Sequence, residues 1–353
     1  MRRPRIARSP GILLVSTLAL LGAAAAAPRN QAQGGSQPRP AQSASQIDVD
    51  RVQVQSVRVG GNVYLLVGAG GNLAVQIGED GVLVVDTQFE QMAEKLLAEI
   101  RKIAGDKPIR YIINTHVHPD HVGGNATIKA AGQAIIAGNV AGDVGGDRAM
   151  GATLIAHENV LNRMSAPTGA TPPMPTAAWP TDTFFGDQMD FTFNNEAVEL
   201  FHQPAAHTDG DVMVFFRKSD VIATGDVFVT TSYPVVDLER GGNIDGIIDA
   251  LNHIIDLAVP HDKQEGGTMV IPGHGRICDE ADVVEYRDML TIIRDRIQRM
   301  IKNNMTADQV KAARPTRDYD GRYGATSGVW TTDMFVDAVY RSLSQPVKAG
   351  RGR

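Results

Sequence analysis

The chain has 353 residues, 43% of them hydrophobic and 21% charged, with a formal net charge of −6 and one cysteine, Cys278. That length allows one large domain or two small ones with a sizeable core, and the composition is globular rather than disordered or polytopic. The acidic balance argues against a nucleic-acid partner. A lone cysteine excludes an intrachain disulfide and an all-cysteine zinc site, so metal chemistry must come from His and carboxylates.

Arg2, Arg3, Arg5 and Arg8 precede an apolar run from Gly11 to Gly22, followed by alanines 23–27, the order of regions in a secretory signal peptide. The run is short of the ~20 residues a spanning helix needs, so no stable membrane insertion is expected after processing. Loss of the four arginines takes the formal charge from −6 to −10. Residues 28–47 are rich in Gln, Ser, Pro and Gly and read as a flexible linker. The expected product is periplasmic or secreted. It has one folded domain over 48–303 and a C-terminal helical extension with a basic tail over 304–353.

Strand-like runs at 51–57, 62–67, 72–77 and 81–86 open the domain, the last two flanking a Gly78-Glu-Asp-Gly81 turn, which predicts antiparallel hairpins. Phe89, Met92, Leu96, Leu97, Ile100 and Ile103 recur at helical spacing, with Gly105 as the stop. A short apolar run, 109–114, follows. From about 139 to 182 the pattern loosens into Gly, Pro, Met and Ala, with one helix expected near 156–164; this reads as an insertion that could cover a site. Strands resume at 190–193, 197–201, 211–216 and 221–224. A helix over 244–255, a strand over 268–271 and a long helix over 281–301 complete two similar halves, sheet on sheet with helices outside.

The chemistry is concentrated in Asn114-Thr-His116-Val-His118-Pro-Asp120-His121-Val-Gly-Gly124, three imidazoles and a carboxylate within six positions. Two His one residue apart on an extended strand end point the same way and can share an ion. A turn through Pro119 can aim Asp120 and His121 at a second ion. A pair of ions that keeps positions open for water needs six to seven ligands. His207, Asp226 and His274 supply the rest, each in a Gly-containing turn directly after an apolar run.

These residues resemble the motifs of the metallo-β-lactamase superfamily, over about residues 50–300 and in the same order. The resemblance implies an α/β (α+β) fold, a four-layer αβ/βα sandwich with metals between its halves. It implies one ion at His116, His118 and His207, a second at Asp120, His121 and His274, and Asp226 bridging them. Asp86, at the end of Val82-Leu-Val-Val-Asp86, matches the carboxylate that supports the metal loop without binding metal. An Asp rather than a Cys at 226 is closer to the dinuclear, glyoxalase-II-like and phosphodiesterase-like members than to Cys-bearing β-lactamases.

The expected function is an exported dinuclear hydrolase of a small-molecule substrate. A metal-bound hydroxide attacks an ester, lactone, thioester or amide carbonyl, and Asp120 orients it and passes its proton on. The expected cofactors are two divalent ions, Zn²⁺ first, then Mn²⁺ or Fe. Competing readings are a periplasmic β-lactamase, an iron-dependent sulfur dioxygenase and a non-enzymatic metal-binding protein. Tyr233 and His157 are candidate substrate contacts, each balanced against a buried or helical structural role. The sequence leaves the oligomeric state open.

Overall fold

The alternating and continuous apolar runs of the first half become one seven-stranded sheet in the order β1 to β7. Its strands are β1 (Gln55–Gly60), β2 (Val63–Val67), β3 (Leu73–Ile77), β4 (Val82–Val85), β5 (Ile109–Ile113), β6 (Thr153–His157) and β7 (Asp182–Phe184). Tight turns join β1 to β4 as antiparallel neighbours, and the longer crossovers make β4 to β7 parallel. The protein is described from a computed structural model over residues 48–135, 151–167, 172–263 and 266–344. The expected leader, the linker and the basic end of the chain lie outside the described residues.

The second sheet has five strands in the order β12-β11-β10-β9-β8. These are β8 (Gln188–Phe193), β9 (Glu196–Gln203), β10 (Asp211–Phe216), β11 (Val221–Ala223) and β12 (Met269–Ile271). Alternation within each strand divides the core. Leu65, Leu83, Val85, Ile113 and Ile155 of the first sheet meet Leu200, Val212, Val214, Ala223 and Ile271 of the second. Leu66, Val75, Val84 and Ile112 point the other way, onto Leu96, Leu97 and Ile100 of α1 (Ala93–Ala104). Gly105, at φ +63°, terminates that helix.

Phe201, Met213, Phe215 and Ile222 on the outer face of the second sheet bury against α5 (Ile244–Leu257) and α6 (Glu280–Lys302). Each such side chain contributes about 1.5–3 kcal/mol of burial. The result is helix, sheet, sheet, helix. Two short helices follow β5, α2 (Pro119–Val122) and α3 (Asn125–Ala131). α4 is Glu158–Ser165, and the chain continues through α7 (Ala307–Ala313), α8 (Asp320–Tyr323) and α9 (Thr332–Ser344).

One stretch departs from the sequence reading. The expected insertion at 139–182 contains β6, a buried strand paired parallel with both β5 and β7. Part of it therefore builds the core. The helix expected from Ala156 begins at Glu158, because Ala156 and His157 are strand residues. Met164 is buried with Val117, Val122 and Val160. Residues 136–150 and 168–171 lie outside the described residues.

Candidate metal centre

Parallel pairing puts Val85 opposite Ile113, so β4 and β5 end side by side and deliver Asp86 and the 114–124 loop to one edge. His118 precedes α2, whose first residue is Pro119, and α2 carries Asp120 and His121. The turns after β9, β11 and β12 bring His207, Asp226 and His274 to the same edge. Seven of the residues singled out from the sequence thus form two groups. His116, His118, His207 and Asp226 make one; Asp120, His121 and His274 make the other, with ligand atoms inside each group within 4.8 Å of one another. Asp226 faces both groups. Its Oδ1 lies 3.1 Å from His121 Nε2 and 3.4 Å from His274 Nε2, and its Oδ2 lies 3.8 Å from His207 Nε2 and 4.0 Å from His116 Nε2.

The hydrogen bonds on the outer side of four of the five rings fix which nitrogen faces inward. Asp86 accepts from Thr115 N (2.8 Å), Thr115 Oγ1 (2.7 Å) and His121 Nδ1 (2.7 Å). Thr115 Oγ1, its proton given to Asp86, accepts from His116 Nδ1 at 3.0 Å. His207 Nδ1 donates to the Val235 carbonyl at 2.6 Å, and His118 Nε2 donates to Asp237 Oδ2 at 2.8 Å. Lone pairs on His116 Nε2, His118 Nδ1 and His207 Nε2 consequently converge. His118 Nδ1 and His207 Nε2 stand 2.8 Å apart, and His116 Nε2 is buried with no hydrogen-bond partner among the described residues. Three converging ring nitrogens, one of them without a hydrogen-bond partner among the described residues, beside a carboxylate are a donor set for a divalent cation, and the residues fit one.

Asp86 achieves its threefold grip from a left-handed backbone, φ +65°. Two glycines allow the close packing: a Cβ at Gly71 would collide with the His121 ring, and one at Gly273 with Asp226 Oδ1. The side chains of His116, His121 and His207 are fully buried, whereas those of His118 and His274 are 17% and 28% exposed. The centre therefore has a closed floor and an open rim.

Charge follows the same division. Burial, reinforced by the His121 and His207 rings, holds His116 neutral, well below the ordinary imidazole range, and burial lowers His118 too. Burial also opposes a charge on His121 and His274, but the carboxylates overcome it. Asp226 and Asp86 raise His121 well above its usual value, and Asp226 with Asp120 raises His274 to about 9. The same imidazoles overcome burial at Asp120 and Asp226 and hold both carboxyls below the usual range. Protons and cations thus compete for one group.

A raised folded pKa stabilises below the unfolded value of 6.5 and loses that contribution as pH climbs through the folded value. The metal-stripped protein is therefore expected to lose thermal stability between pH 6.5 and about 9, while metal-loaded protein keeps it. Thermal midpoints with and without chelator across that window test this. Parallel curves overturn it.

The two candidate substrate contacts are elsewhere. Tyr233 is buried, its ring stacked on Phe335 at 4.6 Å and its hydroxyl 3.0 Å from Asp320 Oδ1 and 3.2 Å from the Thr316 carbonyl. It packs with the C-terminal helices. His157 ends β6, accepts from Asn159 N at the start of α4 and stacks on His202 at 3.6 Å; burial, then His202, push it down to about 4. Neither ring opens onto the centre. Asp209 and Asp211 serve the turn after β9, Asp211 holding Thr208 and Asp209 pairing with Arg163. Asp237 was not singled out from the sequence. Its only advance signal is chemical, since a histidine that presents Nδ1 needs an acceptor behind Nε2.

Comparison with known proteins adds four findings. A family model described as the metallo-beta-lactamase superfamily matches residues 57–275. The chain is 27% identical over 259 residues to the linear primary-alkylsulfatase of Pseudomonas sp. (strain ATCC 19151), covering 65% of this chain and 47% of that protein. It is 23% identical over 215 residues to metallo-beta-lactamase type 2 of Bacillus cereus, covering 60% and 69%. Among solved structures, the stereoselective inverting sec-alkylsulfatase Pisa1 from Pseudomonas sp. superposes with a TM-score of 0.60 at 15% identity, over 82% of this chain and 50% of that one. That likeness is one of fold. The chain spans about half the length of these alkylsulfatases.

Proposed function

The chain belongs to the metallo-beta-lactamase superfamily, and from that premise we propose that it is a dinuclear metal-dependent hydrolase of ester-type bonds in a small molecule. The observation that carries this reading is the pair of ligand groups with Asp226 between them. When bound, two divalent cations supply Lewis acidity that brings the pKa of water from 15.7 toward about 7 and polarises the scissile group. His116, His118 and His207 would hold one cation, Asp120, His121 and His274 the other, with Asp226 shared. Five imidazoles and two carboxylates suit Zn²⁺, with Mn²⁺ and Fe next.

Asp120 sits at the rim, its Oδ2 3.2 Å from His274 Nε2. Kept ionised below the usual carboxylate range, it can accept the proton of an attacking water and return it to the leaving alkoxide. The buried floor beneath it excludes bulk water from the far side of the centre. No thiolate is at hand: Cys278 is buried and its thiol is pushed up to about 12 by that burial. This favours the ester-hydrolase reading over a Cys-bearing β-lactamase. The complete second ligand group favours two metals over a mononuclear iron sulfur dioxygenase or a scaffold that has lost ligands.

Relatedness to an alkylsulfatase makes alkyl sulfate esters a second substrate class beside lactones, thioesters and carboxylic esters. Elemental analysis paired with a panel of nitrocefin, a lactone, an S-acyl thioester, an alkyl sulfate and a phosphodiester tests the reading. Two metals per chain and turnover of an ester are expected. One iron per chain with O₂ uptake, or no metal, overturns it. The leader-like segment supports export, and cell fractionation places the protein in the periplasm or medium if that reading holds.

A further inference from the structure

The segment from Val227 to Asn243, between Asp226 and α5, lies across the ligands like a strap. Thr230 N donates to the His274 carbonyl (3.0 Å) and Asp237 N to the His207 carbonyl (3.1 Å). The Val235 carbonyl accepts from His207 Nδ1, and Asp237 accepts from His118 Nε2. Two of the three imidazoles in the first ligand group are thus oriented by one strap of chain.

The opposite side of the strap is held by the C-terminal helices, beyond the residues matched by the family. Tyr233 N donates to the Tyr323 carbonyl of α8 (3.2 Å), and its hydroxyl faces Asp320 and the Thr316 carbonyl. Its ring lies flat on Phe335 of α9, 3° from parallel. Tyr286 of α6 donates to the Ser232 carbonyl at 3.1 Å. Val236 is buried in the same cluster as Phe335 and Val339.

The carboxylate of Asp237 has no neutral substitute here. Oδ1 accepts from the backbone of Glu239 and Arg240, both at 3.1 Å, and Oδ2 accepts from Arg240 Nη1 and His118 Nε2, both at 2.8 Å. Both oxygens meet donors only. An asparagine amide must turn its NH₂ toward one pair of donors, and toward His118 it would drive the ring proton onto Nδ1, the inward nitrogen.

We propose that Asp237 is a positioning residue that fixes the metal-facing tautomer of His118, and that α8 and α9 set its strap through Tyr233. The C-terminal helices thereby act on the ring orientation of the first ligand group, whereas the strap touches the second only through backbone. This rests on the metal-centre reading. The ring acceptors of the second group lie elsewhere: His121 Nδ1 is held by Asp86, and the strap meets the His274 turn through backbone pairing, Gly273 N donating to the Phe228 carbonyl and Thr230 N to the His274 carbonyl.

Co²⁺ is the probe, titrated optically and by calorimetry into the full chain. In a His274→Ala background the remaining Co²⁺ reports the first group; in a His207→Ala background it reports the second. Asp237→Asn is expected to weaken Co²⁺ binding about 10- to 100-fold in the first background and by less than about twofold in the second. Tyr233→Phe, which keeps the stack and loses the hydroxyl contacts, is expected to move the same background in the same direction by a smaller factor. Thermal unfolding of metal-free protein should change by only a few degrees in either variant. Equal weakening in both backgrounds, or none in the first, overturns the proposal while the metal-centre reading stands. A parent protein that binds no Co²⁺ overturns both.

Discussion

His116→Ala is expected to leave a folded protein that binds one divalent ion fewer and turns over ester on the order of 10³-fold more slowly. The size follows from losing several kcal/mol of charge stabilisation by a cation at about 1.36 kcal/mol per tenfold. The more discriminating part concerns stability. His116 is fully buried; among the described residues its Nε2 has no hydrogen-bond partner and its Nδ1 meets only Thr115 Oγ1. Without a cation it is a polar group stranded in the floor of the centre, and its removal relieves that cost while leaving a small cavity. With a cation it is a ligand, and binding adds RT ln(1 + [L]/Kd) to the folded state. His116→Ala should therefore lower the thermal midpoint of loaded protein and barely change that of stripped protein. Asp120→Ala at the rim should lose turnover by about 10² to 10⁴ while the first ion stays bound. Wild-type turnover in either variant removes the proposed centre from the reaction.

The same contrast shows what the sequence could disclose. The 114–124 loop was legible because its four candidate donors fall within six positions and their spacing carries the geometry. His207, Asp226 and His274 were legible because each follows an apolar run into a glycine turn, where parallel and mixed sheets gather polar groups. β6 was not, since Thr153-Leu-Ile-Ala-His157 is a five-residue run inside Gly, Met and Ala-rich chain, and only its two parallel neighbours make it a strand. For a related reason the sequence could not choose between the two readings of Tyr233, a substrate contact and a buried hydrogen-bonded side chain. Its proximity to Asp226 in sequence suggested the site, but its partners Thr316, Asp320 and Phe335 come from 83 to 102 residues later and turn it into the core. Asp237 depends on His118, 119 residues earlier. Periodicity reports faces of elements; it does not report which loop crosses which strand end.

Glu196→Ala is expected to destabilise the protein as strongly as any single substitution outside the metal centre, and to leave the chemistry intact. Glu196 starts β9 and is 5% exposed. Its Oε1 accepts from Gln76 Nε2 (2.7 Å) on β3 of the opposite sheet and from Ser219 Oγ (2.8 Å). Its Oε2 accepts from the Lys218 and Ser219 amides at 3.1 and 3.0 Å. One carboxylate therefore staples the two sheets and closes the turn between β10 and β11. Alanine strands the fully buried Gln76 amide and the Ser219 N–H, each at about 1–3 kcal/mol, for a total of about 3–5 kcal/mol. For a domain of this size that is a fall in thermal midpoint of roughly 10 °C. Glu196→Gln should cost less, because one acceptor oxygen survives, yet it must aim an NH₂ at donors on one side. β9 runs roughly 23 Å from Glu196 before the turn that carries His207, at ~3.3 Å per residue. Metal content and turnover at 25 °C should accordingly match the parent. A Glu196→Ala protein of unchanged midpoint would mean that the sheets are held together by apolar burial alone. One that folds but loses metal would mean that the spacing between the sheets, set at the far end, reaches the ligands.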